Sequence, residues 1–164
     1  MKQYVSLLLA ALILTVSLPT AGAAAESGLS LSCASAVLME KETGAFLLEE
    51  NSHEKLEPAS VTKIMTLLLV MEALDSGRVS RDDMVSVSAY AAGMGGSQVY
   101  LEEGERMPVS EMIKCVTVVS GNDCAVALAE HLAGSEGAFV TQMNQRAQEL
   151  GMVDTTFLNC TGLP

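Results

Sequence analysis

Apolar and polar positions beyond residue 25 form two patterns that predict different elements. The runs SAVLME and AFLLEE flank KETG, and two strand-like runs around a turn that ends in glycine predict a β-hairpin over residues 36–40 and 45–49. From about Ser60 to Asp75 the apolar residues lie on every side of a helix rather than along one face. That pattern predicts a helix buried in the centre of the protein, and Gly77 is placed to end it.

The second half of the chain predicts three more helices. Pro108 begins the first, which runs through VSEMIKCVTVV and stops at SGN. The next begins at Asp123, whose side chain is of a type that caps helices, and ends at Gly134. Ser135 caps the last, which Gly151 closes. Its apolar positions recur with a period near four: Phe139, Met143, Ala147 and Leu150.

This order of elements predicts an α+β fold, with an N-terminal hairpin followed by a helical lobe. Two strands alone bury little apolar surface, and isolated hairpins are only marginally stable in water. We therefore expect the rest of an antiparallel sheet to lie outside residues 1–164.

The first 25 residues follow a different plan. Lys2 supplies a positive start, residues 5–18 are almost continuously apolar, and Pro19 and TAGAAAES follow. This order is typical of a secretory signal peptide, and the apolar run is short for a transmembrane helix. We expect residues 1–25 to be removed and the rest to function outside the cytoplasm. An uncleaved membrane anchor is the alternative.

Charge and cysteine content exclude several kinds of site. The net charge of −11 argues against nucleic acid as a partner, because no basic stripe is present to neutralise phosphates. The spacing of the cysteines does not resemble a metal site, and no cofactor is implied. We expect structural thiols, with disulfides as the alternative, at the four cysteines: Cys33, Cys115, Cys124 and Cys160.

One motif indicates chemistry. Lys63 is the only charged residue of PASVTKIMTLLLVMEAL before Glu72, and Ser60 lies three positions earlier, on the same helix face. Burial would disfavour the charged amine, and a neutral amine can take a proton from the serine hydroxyl. This pair predicts a Ser–Lys nucleophile that needs no histidine. The alternative is a serine at a helix start followed by a lysine that reaches solvent.

Longer stretches extend this motif into a family resemblance. LEPASVTKIMT, VVSGNDCAVALAEHLAGS and MNQRAQELGMVDTTFLNCTGL together resemble the D-alanyl-D-alanine carboxypeptidases, the low-molecular-mass penicillin-binding serine peptidases. The motif set of penicillin-binding proteins and class A β-lactamases is S-x-x-K, S-D-N and K-T-G, and SGN at residues 120–122 is the second member here. The resemblance implies the penicillin-binding/β-lactamase-like transpeptidase fold. It also implies a peptidoglycan stem peptide ending in D-Ala-D-Ala as substrate, and β-lactam antibiotics as covalent inhibitors.

The resemblance also implies roles for four residues. Ser60 matches the nucleophile that forms the acyl-enzyme, and Lys63 matches its proton acceptor. Ser120 matches the serine that relays a proton to the leaving D-alanine. Asn122 matches the residue that holds the substrate amide and helps to position Lys63.

The third motif departs from the family pattern. CTG at residues 160–162 lacks the lysine of K-T-G. We therefore expect residues 26–164 to be an incomplete catalytic domain that is inactive alone, with the remaining strands and any C-terminal membrane anchor elsewhere in a longer protein. The alternatives are a β-lactamase-like hydrolase and an inactive penicillin-binding fragment. Gly121, in place of the aspartate of S-D-N, favours the carboxypeptidase.

Overall fold

A computed structural model describes residues 31–164, so the predicted signal peptide lies outside the described residues. The described residues fall into two compact units, which are divided between Glu54 and Lys55. Within residues 31–164, no helix combines the length and the apolar character that crossing a bilayer requires.

The first unit contains the predicted hairpin. Strands β1 (Ala36–Met39) and β2 (Phe46–Glu50) pair antiparallel, with a register shift just before Met39. The turn is closed by Glu40, whose carboxylate accepts hydrogen bonds from the backbone N–H groups of Glu42 and Thr43. The hairpin prediction is confirmed, with strand ends that differ by one residue.

The second unit is mainly helical. A short 3-10 turn, Ala59–Thr62, leads directly into the first helix. Two short strands that follow this helix in the chain pair as a small antiparallel sheet. In chain order, the elements are α1 (Lys63–Asp75), β3 (Met84–Ser86), α2 (Ala89–Ala92), β4 (Arg106–Pro108), α3 (Val109–Val119), α4 (Asn122–Ala133) and α5 (Glu136–Glu149).

Helix α4 occupies the centre of this unit. It packs against α1, α3 and α5, and every residue from Asn122 to Ala129 is buried. Its alanines and Cys124 are small enough to allow neighbouring helices to approach on several sides.

The prediction that α1 is buried all round is wrong, because Ile64 is 68% exposed and Met71 43% exposed. The buried apolar residues of α1 are Met65, Leu69, Val70 and Ala73, and Lys63 and Thr66 are buried with them.

The predicted helix ends are mostly confirmed. Gly134 ends α4 in the left-handed conformation at φ 81°, and the Ser135 hydroxyl caps α5 by accepting a hydrogen bond from the Ala138 N–H. The N-cap predicted at Asp123 is wrong. Helix α4 begins one residue earlier, at Asn122, with Gly121 in the cap position.

The cysteines are free thiols, in agreement with the sequence analysis. Cys124 and Cys160 are completely buried. Burial is the main cause that raises the pKa of both thiols above the usual value, so both remain protonated and serve as small core residues.

Candidate active site

Ser60 and Lys63 lie where the 3-10 turn joins α1. The Lys63 Nζ donates a hydrogen bond of 3.0 Å to the Ser60 Oγ. Ser60 is exposed, whereas Lys63 is only 3% exposed. The pair therefore has an accessible hydroxyl backed by a buried amine.

Burial changes the acid–base behaviour of Lys63. Its second hydrogen bond, 2.8 Å long, goes to the backbone carbonyl of Thr161, a neutral acceptor. Desolvation lowers the pKa of Lys63 below its ordinary value. A lowered pKa increases the fraction of neutral amine at physiological pH, and the neutral amine is the form that can accept the Ser60 proton.

The carbonyl that holds Lys63 belongs to an ordered chain segment, residues 159–163. The Asn159 Oδ1 accepts hydrogen bonds from the backbone N–H of Thr161 and of Gly162. The Thr66 hydroxyl donates a 2.7 Å hydrogen bond to the carbonyl of Cys160. Sequence reasoning used this segment for the family resemblance and as an imperfect match to K-T-G, and it missed the contact with Lys63.

Gly162 brings this segment against the residue before Ser60. Its φ of +79° is left-handed, and a Cβ atom there would overlap the carbonyl of Ala59. Ala59 is itself left-handed at φ +47°, which costs an L-residue about 1–2 kcal/mol. The close approach of the two backbones thus accompanies a strained entry into the turn that presents Ser60.

The second motif forms the junction of α3 and α4. Ser120 ends α3 in a left-handed conformation, at φ 60° and ψ 34°. Asn122 is buried, and its Nδ2 donates a 2.7 Å hydrogen bond to the Gly95 carbonyl. Its Oδ1 is buried without a hydrogen-bond partner. Among the described residues, no hydrogen bond joins Lys63 to Ser120 or Asn122.

Asp123 fixes the irregular loop that faces this junction. Its Oδ2 accepts hydrogen bonds from the backbone N–H groups of Val99 (3.0 Å) and Leu101 (3.2 Å), and the Asp123 side chain is fully buried. The loop also approaches Asn122 closely, since a Cβ atom on Gly96 would lie 2.8 Å from the Asn122 Nδ2. Sequence reasoning missed this role because aspartate at a helix start is usually a cap.

These two groups of side chains have complementary chemistry. The first places an accessible hydroxyl beside a buried amine, the arrangement that acyl transfer by a serine requires. The second provides a buried amide oxygen that is free to accept a hydrogen bond. Residues 21–164 match the peptidase family S11, described as D-alanyl-D-alanine carboxypeptidase.

The chain belongs to the D-alanyl-D-alanine carboxypeptidase family.

Individual members agree with this assignment. The chain is 50% identical to the D-alanyl-D-alanine carboxypeptidase DacF of Bacillus subtilis (strain 168) over 167 residues, which cover 99% of the chain and 43% of that protein. The crystal structure of the carboxypeptidase DacD from Francisella tularensis superposes with a TM-score of 0.81 at 40% identity. That match covers 83% of the chain and 33% of the Francisella protein.

A third relative was solved with a β-lactam bound. Penicillin-binding protein D2 from Listeria monocytogenes, in its ampicillin-bound form, superposes with a TM-score of 0.74 at 30% identity, over 83% of this chain and 54% of that one. The predicted penicillin-binding, α+β transpeptidase-like fold is therefore confirmed. The chain spans less than half the length of the Bacillus and Francisella relatives.

Proposed function

We propose that the protein carrying this chain is a serine-type D-Ala-D-Ala carboxypeptidase. In this proposal, Ser60 attacks the carbonyl carbon between the last two D-alanines of a peptidoglycan stem peptide. The terminal D-alanine leaves, and water then hydrolyses the acyl-enzyme ester. The observation that carries the proposal is the 3.0 Å hydrogen bond between the buried Lys63 amine and the Ser60 hydroxyl. The chain belongs to a family of D-alanyl-D-alanine carboxypeptidases, which makes this pair the candidate nucleophile and base.

Each of the four residues has a step in this mechanism. Lys63 takes the proton from Ser60 as the new ester bond forms, and Ser120 relays a proton to the amine of the departing D-alanine. The unpartnered Oδ1 of Asn122 accepts a hydrogen bond from an amide N–H of the substrate. The backbone N–H of Ser60 supplies half of an oxyanion hole, a contribution of about 3 kcal/mol to transition-state stabilisation.

The same nucleophile explains inhibition by β-lactams. The strained β-lactam carbonyl would acylate Ser60 in the same way as the peptide does, but would leave a stable adduct. The relative from Listeria solved with ampicillin supports this part of the proposal.

Location and domain organisation complete the proposal. Residues 1–25 act as a signal peptide and residues 26–164 form part of a catalytic domain that works on the outer side of the cytoplasmic membrane, in or near the cell wall. The Bacillus relative is more than twice as long. The K-T-G strand, with the second oxyanion donor and a cation for the substrate carboxylate, would come from outside residues 1–164.

Intact-mass spectrometry with a penicillin tests the nucleophile. The protein is expressed over its whole open reading frame, and we expect a mass increase of one penicillin that disappears in Ser60→Ala and persists in the control Ser76→Ala. A D-Ala-D-Ala pentapeptide should release D-alanine. An adduct on Ser60→Ala would refute the nucleophile, and rapid turnover of a chromogenic cephalosporin would favour a β-lactamase.

A further inference from the structure

Glu136 connects the start of α5 to the segment that holds Lys63. Its Oε1 accepts a 3.0 Å hydrogen bond from the backbone N–H of Cys160. Its Oε2 accepts a 2.7 Å hydrogen bond from the Tyr90 hydroxyl of α2, and this bond helps to raise the pKa of Tyr90 to about 12. One half-buried carboxylate thus joins α2, α5 and residues 159–163.

Glu136 is not needed to cap its own helix. The hydroxyl of Ser135 already caps α5 through the Ala138 N–H, at 3.2 Å. Both carboxylate oxygens of Glu136 are instead used for contacts outside α5. This division of roles separates the stability of the helix start from the position of residues 159–163.

The hydrogen bond between Glu136 and the Cys160 N–H lies one residue from the Thr161 carbonyl, which accepts the hydrogen bond from Lys63. The Cys160 N–H is held by Glu136, and the Cys160 carbonyl is held by the Thr66 hydroxyl at 2.7 Å. The next carbonyl, that of Thr161, accepts the 2.8 Å hydrogen bond from the Lys63 amine. With both of its polar backbone atoms fixed, Cys160 can move little, and the Thr161 carbonyl is held in a defined place.

We propose that Glu136 is a positioning residue, which aligns the Lys63 amine with the Ser60 hydroxyl through the backbone of Cys160 and Thr161. This inference rests on the proposed function, because it assumes that Lys63 is the base. Without the Glu136 carboxylate, the Cys160 N–H loses its acceptor and the Thr161 carbonyl can shift. A displacement of a base by about 1 Å can cost up to roughly 100-fold in rate.

Acylation kinetics with four variants test the proposal. The acylation rate is measured at increasing penicillin concentration until it saturates, which gives the dissociation constant of the non-covalent complex and the acylation rate constant separately. The amplitude of the acylation reaction gives the fraction of active protein. We expect Glu136→Ala to lower the acylation rate constant roughly 10- to 100-fold, with an unchanged dissociation constant. Glu136→Gln keeps an acceptor oxygen and should restore most of the rate. Tyr90→Phe should have a smaller effect.

Ser135→Ala is the matched control. It removes the cap of the same helix and lowers the melting temperature, but leaves the contact between Glu136 and Cys160 in place. We expect its acylation rate constant to equal that of the wild type. Equal losses of rate in Ser135→Ala and Glu136→Ala would overturn the proposal, as would an unchanged rate constant in Glu136→Ala.

A second readout does not depend on catalysis. The pKa of Lys63 is followed by carbon-13 NMR of labelled lysine in the wild type and in Glu136→Ala. A positioning role predicts a changed Lys63 pKa, and an unchanged value would overturn it. If the wild type forms no adduct on Ser60, the proposed function fails separately, and the NMR titration still decides whether Glu136 controls the Lys63 environment.

Discussion

The two polar groups of the candidate active site are built in opposite ways. At the junction of the 3-10 turn and α1, the buried Lys63 amine has two acceptors, Ser60 and Thr161. At the junction of α3 and α4, the Asn122 Oδ1 is buried with no partner. Among the described residues, Ser120 also makes no side-chain hydrogen bond.

This difference matches the work proposed for each group. A base must be held dry and in one place beside its nucleophile, so its polar contacts are internal. A group that binds substrate must keep an atom available, even though an unsatisfied buried polar atom costs about 1–3 kcal/mol. We interpret the free oxygen of Asn122 as the atom that the substrate amide would satisfy.

Replacing Lys63, the proposed base, should have the largest effect on the acylation rate. Lys63→Met keeps most of the side-chain volume but removes the proton acceptor, and we expect the acylation rate to fall by roughly 10²–10⁴-fold. Stopped-flow measurements with a chromogenic cephalosporin check this. The control is Lys114→Met, which removes an exposed amine bonded to Glu111. Acylation at the normal rate in Lys63→Met would show that another group is the base.

Removing the support beneath the second motif should mainly affect stability. Asp123→Ala leaves the buried N–H of Leu101 and the N–H of Val99 without their acceptor, and we expect a loss of about 3 kcal/mol in the free energy of unfolding. Urea denaturation measures this change. Asp154→Ala is the control, because its ion pair with Lys55 is exposed and worth less than about 1 kcal/mol.

The pH dependence of acylation should report the Lys63 environment. The rate should rise with pH, up to about tenfold per unit, and level off above a pKa that burial has lowered from 10.5. Between the lowered pKa and the ordinary one, the unfolded chain binds more protons than the folded one, so the free energy of unfolding should rise with pH. If the acylation rate instead levelled off only at the ordinary pKa of lysine, Lys63 would be exposed to solvent.

Local features of the fold were predictable from the sequence because their causes are local. Gly134 and Ser135 end and begin helices through their own backbone conformation or side chain. The spacing of Ser60 and Lys63 was enough to predict their contact, since residues three apart share a helix face.

Contacts between distant segments were not predictable in this way. Lys63 and Thr161 are 98 positions apart, and no periodicity links them. Asp123 lies 24 positions from Val99, in an irregular loop whose path the sequence does not specify. The central position of α4 was also not predictable, because it depends on how several helices pack around the small residues of α4 in the folded unit.

Replacing Asn122 should change stability least. This replacement is also the most direct test of the difference between the Ser60–Lys63 group and the Ser120–Asn122 group. Asn122→Ala removes the hydrogen bond to the Gly95 carbonyl but also removes the unpartnered oxygen. These effects oppose each other, and Gly95 is exposed to water, so we expect the free energy of unfolding to change by less than about 1 kcal/mol. Acylation should slow by roughly tenfold, because one hydrogen bond to the substrate is lost. If Asn122→Ala destabilised the protein as much as Asp123→Ala, the second motif would be structural, and the contrast between the two groups would fail.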